Sequence, residues 1–245
     1  MSFIRTPWDG FPKVKVLYPL GTLKKASEEL YIDAKSGDME AAFKLLYKNV
    51  LKEKDVYELG VRLFKDKPIL VPVIAKERLG NNRIPLAYAN ILSGYLGFEF
   101  NDDIVQSVKA NHTDAGAYER IVRQPLFEGQ VQDGRNYVIL DDTVSMGGTL
   151  AALKGYIENN GGKVVLATTL TGFSVPEIDL VPLKKTLDYV MKKHPQLAEW
   201  WLYEFNFPIE YLTQGELGHF KKPASLDEIR NRLIEAGFQS RNENS

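Results

Sequence analysis

"NYVILDDTVSMGGTL", Asn136 to Leu150, is the most informative segment of the chain. A short apolar run enters two aspartates, and a loop of hydroxyls, one methionine and a glycine pair follows. Neighbouring strand residues point to opposite faces. Two acids in mid-strand would therefore leave charge in both apolar layers, at a cost of several kcal/mol each. At the strand's C-terminal end they emerge instead into the crevice where open α/β sheets bind ligands. There Asp141 and Asp142 can accept hydrogen bonds from sugar hydroxyls. The next residues have the opposite electrical character. Gly147 and Gly148 present bare N–H groups, and Ser145 and Thr149 add hydroxyl donors. A helix starts directly after them, with partial positive charge at its N-terminus. Such a segment cradles phosphate. A ribose 5-phosphate offers hydroxyls and a phosphate at about this separation.

Working outward, the apolar runs set the class. "PILVPVIA" (68–75) is a continuous apolar strand, and "IPLAYANILSGYLG" (84–97) is a helix with Leu86, Ala89, Leu92 and Leu96 on one stripe. "DIVQSVKA" (103–110) reads as a weaker strand. A polar stretch, Asn111 to Gly134, precedes the strand "NYVIL". The helix after the glycines places Leu150, Leu153 and Ile157 inward and stops at Asn160-Gly161. "KVVLATTL" (163–170) is the last clear strand. Strands apolar throughout, alternating with helices, predict a three-layer α/β/α core with a mainly parallel sheet over 66–172.

The flanks read as helical. Residues 1–65 contain "KKASEELYIDAK" and "GDMEAAFKLLYKNVL", with Met39, Phe43, Leu46 and Val50 on one face. Residues 173–245 read as a helical cap. Leu183, Leu187 and Val190 share a face, and His194-Pro195 ends that helix. Thr213…Glu216 and Ser225…Glu228 fit capping boxes. The aromatic run "EWWLYEF" (199–205) is expected to pack the cap on the core. A ligand-pocket wall is the sharper alternative.

Composition removes several function classes. The 245 residues are 44% hydrophobic and 26% charged, an ordinary globular balance. Net charge is −1, so no overall basic field attracts nucleic acid or anionic membrane. Cysteine is absent, which excludes disulfides, zinc thiolate sites and thiol catalysis. His112, His194 and His219 show no metal spacing. The N-terminus lacks a signal-peptide core, and no apolar run approaches a membrane span. A soluble, cytoplasmic protein is expected. Neither GxxxxGK[ST] nor GxGxxG occurs, which leaves P-loop and dinucleotide sites without support.

"VILDDTVSMGGTL" resembles the phosphoribosyl pyrophosphate signature of type I phosphoribosyltransferases: four apolar residues, two acids, then a hydroxyl- and glycine-rich loop. The likeness is specific in the acids and in "GGT". It departs at Met146, where the family usually carries a small hydroxyl residue, and Thr143 is more polar than usual. The resemblance covers about 68–172. It implies that the loop "KERLGNNRIP" binds pyrophosphate, through Lys76, Glu77, Arg78 and Arg83 and a strained Ala75-Lys76 peptide. It also implies a flexible lid over 108–129, with Lys109, His112, Arg120 and Arg123 as candidate cations.

The implied reaction is displacement of pyrophosphate from C1′ of phosphoribosyl pyrophosphate by a nitrogenous acceptor, with Mg2+ bridging ligand oxygens. Asp141 and Asp142 would hold the ribose hydroxyls. Ser145, Met146, Gly147, Gly148 and Thr149 would hold the 5′-phosphate. Lys76, Arg120 and Arg123 would serve the leaving group, and Ala75 to Arg78 would line its site. No residue is expected to bind the metal alone. Acceptor recognition would fall to the helical flanks as a hood, and to "TLTGFSVPE". There Phe173 either stacks on a base or, as preferred, fills the core–cap junction. The expected partners are phosphoribosyl pyrophosphate and a small base, with no membrane; a homodimer stays open. The same fold occurs in regulators that sense phosphoribosyl pyrophosphate or a nucleotide without turnover, which is the rival reading. A hydrolase using the acids as magnesium ligands is a third.

Overall fold

The computed structural model describes residues 5–75, 82–108 and 116–242, with side chains of 238–242 left aside. The chain begins with strand β1 (Val14–Pro19), then helices α1 (Thr22–Ala26), α2 (Glu28–Lys35), α3 (Met39–Phe43), whose wider turns continue to Val50, and α4 (Glu53–Leu63). Strands β2 (Ile69–Pro72) and β3 (Ile74–Ala75) lead into α5 (Ile84–Leu96). There follow β4 (Val105–Val108), α6 (Ala117–Val122), β5 (Leu126–Glu128), β6 (Asn136–Val144), α7 (Gly148–Asn159), β7 (Lys163–Gly172) and β8 (Glu177–Ile178). Helices α8 (Lys184–Lys193), α9 (Leu197–Phe205), α10 (Gln214–Gly218) and α11 (Leu226–Asn242) complete the chain.

The main sheet has the order β2-β6-β7-β1-β8 and is parallel except at β8. Its apolar strands alternate between two faces, as period 2 requires. Val138 and Leu140 face α5 and the N-terminal helices, meeting Tyr88, Leu92, Leu46 and Leu59. Tyr137 and Ile139 face α7, meeting Leu150, Leu153 and Ile157 with Trp8 and Phe11. Both faces are covered, so three layers form, and the continuous apolar runs are explained. A third apolar cluster holds the cap together around Trp201, Phe207 and Phe220, and Ile121 of α6 joins it. The aromatic run 199–205 packs chiefly inside the cap, where Trp201 meets Phe205, Phe207 and Phe220, rather than packing the cap on the core as expected.

Four local features differ from the sequence expectation. The N-terminal segment is not helical throughout, because β1 inserts in the sheet between β7 and β8. Its signal is the alternation Lys13-Val14-Lys15-Val16, in which both valines are fully buried. The run 68–75 is two strands. After Pro72 the chain leaves the main sheet, and β3 pairs instead with β4 in a second sheet, β3-β4-β5. The polar stretch expected as an aperiodic lid contains α6 and β5, and α6 packs on α11; 109–115 lie outside the described residues. Of the two capping boxes, Thr213–Glu216 is complete. Ser225 caps α11 by accepting from Glu228 N at 3.2 Å, while the Glu228 carboxylate accepts from Ala224 N.

Candidate functional site

β6 does not stop before the acids. Its ladder to β7 runs on through Asp141↔Thr169 and Thr143↔Thr171 to Val144↔Gly172. On the other side the ladder to β2 ends at Pro72↔Leu140. The aspartates therefore sit where one flank of the strand loses its neighbour and a cleft opens. This is a modified form of the strand-end expectation: paired on one side, open on the other. Thr143 is polar for a structural reason, since its hydroxyl meets Thr171 Oγ1 at 2.8 Å across the ladder. Thr171 Oγ1 in turn donates to the Asp142 carbonyl at 3.1 Å.

The cleft holds about 450 Å³, within the range of small-ligand sites. Asp141, Asp142 and all of Ser145, Met146, Gly147, Gly148 and Thr149 line it, with Ala75 and Arg120. These predicted residues are brought together. Lys76, Glu77, Arg78, Lys109 and His112 lie outside the described residues. Arg123 and Arg83 are directed elsewhere: Arg123 pairs with Glu119 at 3.0 Å, and Arg83 Nε donates to the Gly37 carbonyl at 3.3 Å. Phe173 is 73% exposed and does not fill the core–cap junction, which corrects the preferred placement.

Three further residues line the cleft: Lys35 and Tyr31, which no sequence signal marked, and Asn82, one of the asparagines of the loop "KERLGNNRIP". Lys35 Nζ sits 2.9 Å from Asp142 Oδ2, and Asn82 Nδ2 reaches the same oxygen at 3.0 Å. Tyr31 lies one turn before Lys35 on α2 and lines the cleft too. Asp141 Oδ1 accepts from Asp142 N at 2.8 Å. The two acids consequently differ. Burial and then the Asp142 charge push the Asp141 carboxyl well above its usual range. Burial also acts to raise Asp142, but the Lys35 ammonium and the Lys35 and Asn82 hydrogen bonds outweigh it and hold Asp142 below its usual value. Burial acts to lower Lys35, yet the Asp142 charge prevails and raises it.

This asymmetry has a pH signature. Asp141 binds its proton more tightly folded than unfolded, so its contribution to stability is full below the ordinary carboxylate range and falls as pH rises. Asp142 acts in the opposite sense, and its contribution is lost as pH falls through its lowered value. Asp141→Asn keeps an oxygen acceptor for Asp142 N and removes the ionisable group. It is expected to match the wild type in acid and to be more stable by about 1 kcal/mol at pH 8. Urea unfolding at the two pH values checks this, and an equal or lower stability at pH 8 would refute it.

The turn after the acids is held from the cap. Gly147, with φ +83°, is the N-cap of α7, and no side chain caps that helix. Thr213 Oγ1 donates to the Met146 carbonyl at 2.6 Å. The Met146 side chain packs on the cap cluster, which accounts for a methionine where the resembling signature has a hydroxyl. Gly148 faces Glu216: a Cβ at 148 would stand 2.6 Å from Glu216 Oε1. Glu216 is fully buried, accepts from Arg5 Nη2 at 2.8 Å and from Thr213 N at 2.8 Å, and lines the cleft.

No family model matches the chain. It is 43% identical over 233 residues to Protein TraN of Escherichia coli, a match covering 95% of this chain and 51% of that protein. It is 39% identical over 155 residues to an uncharacterized protein of Haemophilus influenzae, covering 63% of this chain and 34% of that one. The chain thus spans about half, or less, of these curated relatives' length. Among solved structures, adenine phosphoribosyltransferase from Saccharomyces cerevisiae aligns at TM-score 0.34 and 20% identity, over 53% of this chain and 68% of that one. A hypoxanthine phosphoribosyltransferase from Staphylococcus aureus aligns at TM-score 0.33 and 18% identity, over 51% and 67%. Among the described residues no helix is long and apolar enough to cross a membrane.

Proposed function

We propose that this cleft binds the ribose 5-phosphate part of phosphoribosyl pyrophosphate and that the chain is a phosphoribosyltransferase, with 66–172 as its core. One observation carries the reading. The acid pair and the Ser145–Thr149 turn, chemically opposite, open onto one cleft at the start of α7. In this reading Asp141 and Asp142 take ribose hydroxyls, and the turn's N–H groups with Ser145 and Thr149 take the phosphate. The bond from C1′ to the pyrophosphate oxygen breaks, and its electron pair leaves with pyrophosphate. A nitrogen lone pair closes on C1′, and the acceptor nitrogen sheds its proton. The chain's contribution is positioning, charge stabilisation and exclusion of water. Lys76, Glu77 and Arg78 remain the proposed pyrophosphate contacts, and Arg120 lines the cleft for that role.

The described residues do not fit a divalent cation held directly on the acid pair. Asp142 already carries Lys35 and Asn82, and Asp141 Oδ1 is engaged by the Asp142 amide. No step is therefore assigned to magnesium.

Calorimetric titration with ribose 5-phosphate and with phosphoribosyl pyrophosphate tests the reading. Saturable binding is expected, and ribose without its phosphate is expected to bind at least about tenfold more weakly. Ser145→Ala, at an exposed position, is expected to weaken binding while changing stability by less than about 0.5 kcal/mol. Absence of heat with both phosphorylated ligands at millimolar concentration would sink the proposal.

The rival reading is a non-catalytic sensor of phosphoribosyl pyrophosphate or a nucleotide. Binding without pyrophosphate release, across a panel of bases, would decide for the sensor.

A further inference from the structure

Lys35 comes from the N-terminal helical layer, 107 residues before the acid it meets. Its side chain is 39% exposed and that of Asp142 is 8% exposed, so the ammonium faces the buried acid and the open cleft at once. An ammonium has three N–H donors, and the bond to Asp142 uses one. A carboxylate oxygen has two lone pairs, and Lys35 and Asn82 approach Asp142 Oδ2 together. Oδ1 of Asp141 is engaged by the Asp142 amide. Among the described residues no group of three or more His, Asp or Glu side chains is placed to hold a metal.

We propose that Lys35 is a ligand-contacting residue, and that its ammonium supplies the positive charge at the acid pair which a ribosyl phosphate would otherwise draw from a divalent cation. Binding in this cleft then needs no metal. The proposal rests on the phosphoribosyl reading above. Its chemistry is direct. A divalent ion beside the acids would stand against the Lys35 ammonium, a like charge at close range. A hydroxyl-bearing phosphate ester instead meets acceptors on Asp141 and Asp142 and a donor on Lys35.

The test is titration of phosphoribosyl pyrophosphate into the whole chain, in EDTA and in millimolar Mg2+. The wild type is expected to bind with Kd values within about threefold of each other in the two buffers. Lys35→Met is expected to lose at least about tenfold in EDTA and to regain most of it with Mg2+. Lys35→Arg, which keeps the cation, is expected to recover EDTA binding relative to Lys35→Met. Wild-type binding that vanishes in EDTA and returns with Mg2+ overturns the inference and leaves the phosphoribosyl reading standing. So does a Lys35→Met variant equal to wild type in EDTA. Absence of binding by the wild type in both buffers overturns the reading and the inference together. A ligand-free measurement is independent of that reading: millimolar Mn2+ is expected to leave the amide signals of Ser145 to Thr149 unbroadened. Selective broadening there would overturn the inference.

Discussion

Gly147→Val is expected to lower the unfolding free energy by about 3 kcal/mol or more. Two independent causes add. Gly147 has φ +83°, a conformation that costs a β-branched residue most. A Cβ there would also stand 2.4 Å from Leu180 Cδ2, 3.0 Å from Cδ1 and 3.3 Å from Cγ. All three atoms are close, so rotation of the leucine alone gives little relief. Leu180 is 2% exposed, packs with the α7-side cluster, and its carbonyl accepts from Gln214 N at 2.8 Å. The two causes separate in a double-mutant cycle of Gly147→Ala with Leu180→Ala. The double variant is expected to be more stable than the sum of the singles predicts, by about 1 kcal/mol. The backbone part of the cost should persist. Strict additivity would show that the collision with Leu180 is not felt. This glycine is consequently a poor probe of phosphate binding, because loss of fold precedes loss of ligand.

The same glycine shows how far the sequence could be read. The string from Val138 to Leu150 disclosed acids at an opening, a turn of bare backbone and a helix behind it, because each depends on neighbours along the chain. The two sheet faces were legible for the same reason: apolar runs with no polar alternation need cover on both sides. Where β6 ends was not legible. That depends on how far β7 runs beyond β2, a property of other strands. Gly147 and Gly148 looked like phosphate-binding backbone alone, yet Leu180 and Glu216 also require them small. Met146 looked like a defect in the motif and proves to be a contact with the cap cluster. Lys35 carried no signal at all in "KKASEELYIDAK", where it reads as one more solvated helical lysine. Only the topology, which brings the end of α2 to the acids near the tip of β6, gives it a partner. Asp142→Asn removes the charge that Lys35 faces, so its effect is not confined to ligand binding.

Arg5→Ala and Glu216→Ala are each expected to cost about 3–5 kcal/mol, the largest effects foreseen for single side chains here. The pair joins residues 211 positions apart and is almost wholly buried, at 1% and 0% side-chain exposure. Removing either partner leaves the other charge without its counterion in an apolar setting. Arg5 also donates through Nε and Nη2 to Gln124 Oε1, at 3.0 and 2.6 Å, and Glu216 holds the Thr213 amide. Its loss therefore reaches the loop before β5, the capping box of α10 and, through Thr213, the Met146 carbonyl. The pair is not an ideal one: Arg5 Nη1 is buried and has no hydrogen-bond partner among the described residues. An apolar replacement of both, Arg5→Met with Glu216→Leu, is accordingly expected to recover much of what either single truncation loses. Trp8 contributes to the readout together with Trp200 and Trp201 of the cap. Its Nε1 donates to the Leu212 carbonyl at 3.2 Å, so it bridges the N-terminal arm and the cap and reports their separation. Urea unfolding followed by tryptophan fluorescence should show both single variants shifted strongly and the double variant shifted less. Single losses below about 1 kcal/mol would mean that water reaches the pair and that it is not the tie between arm, core and cap.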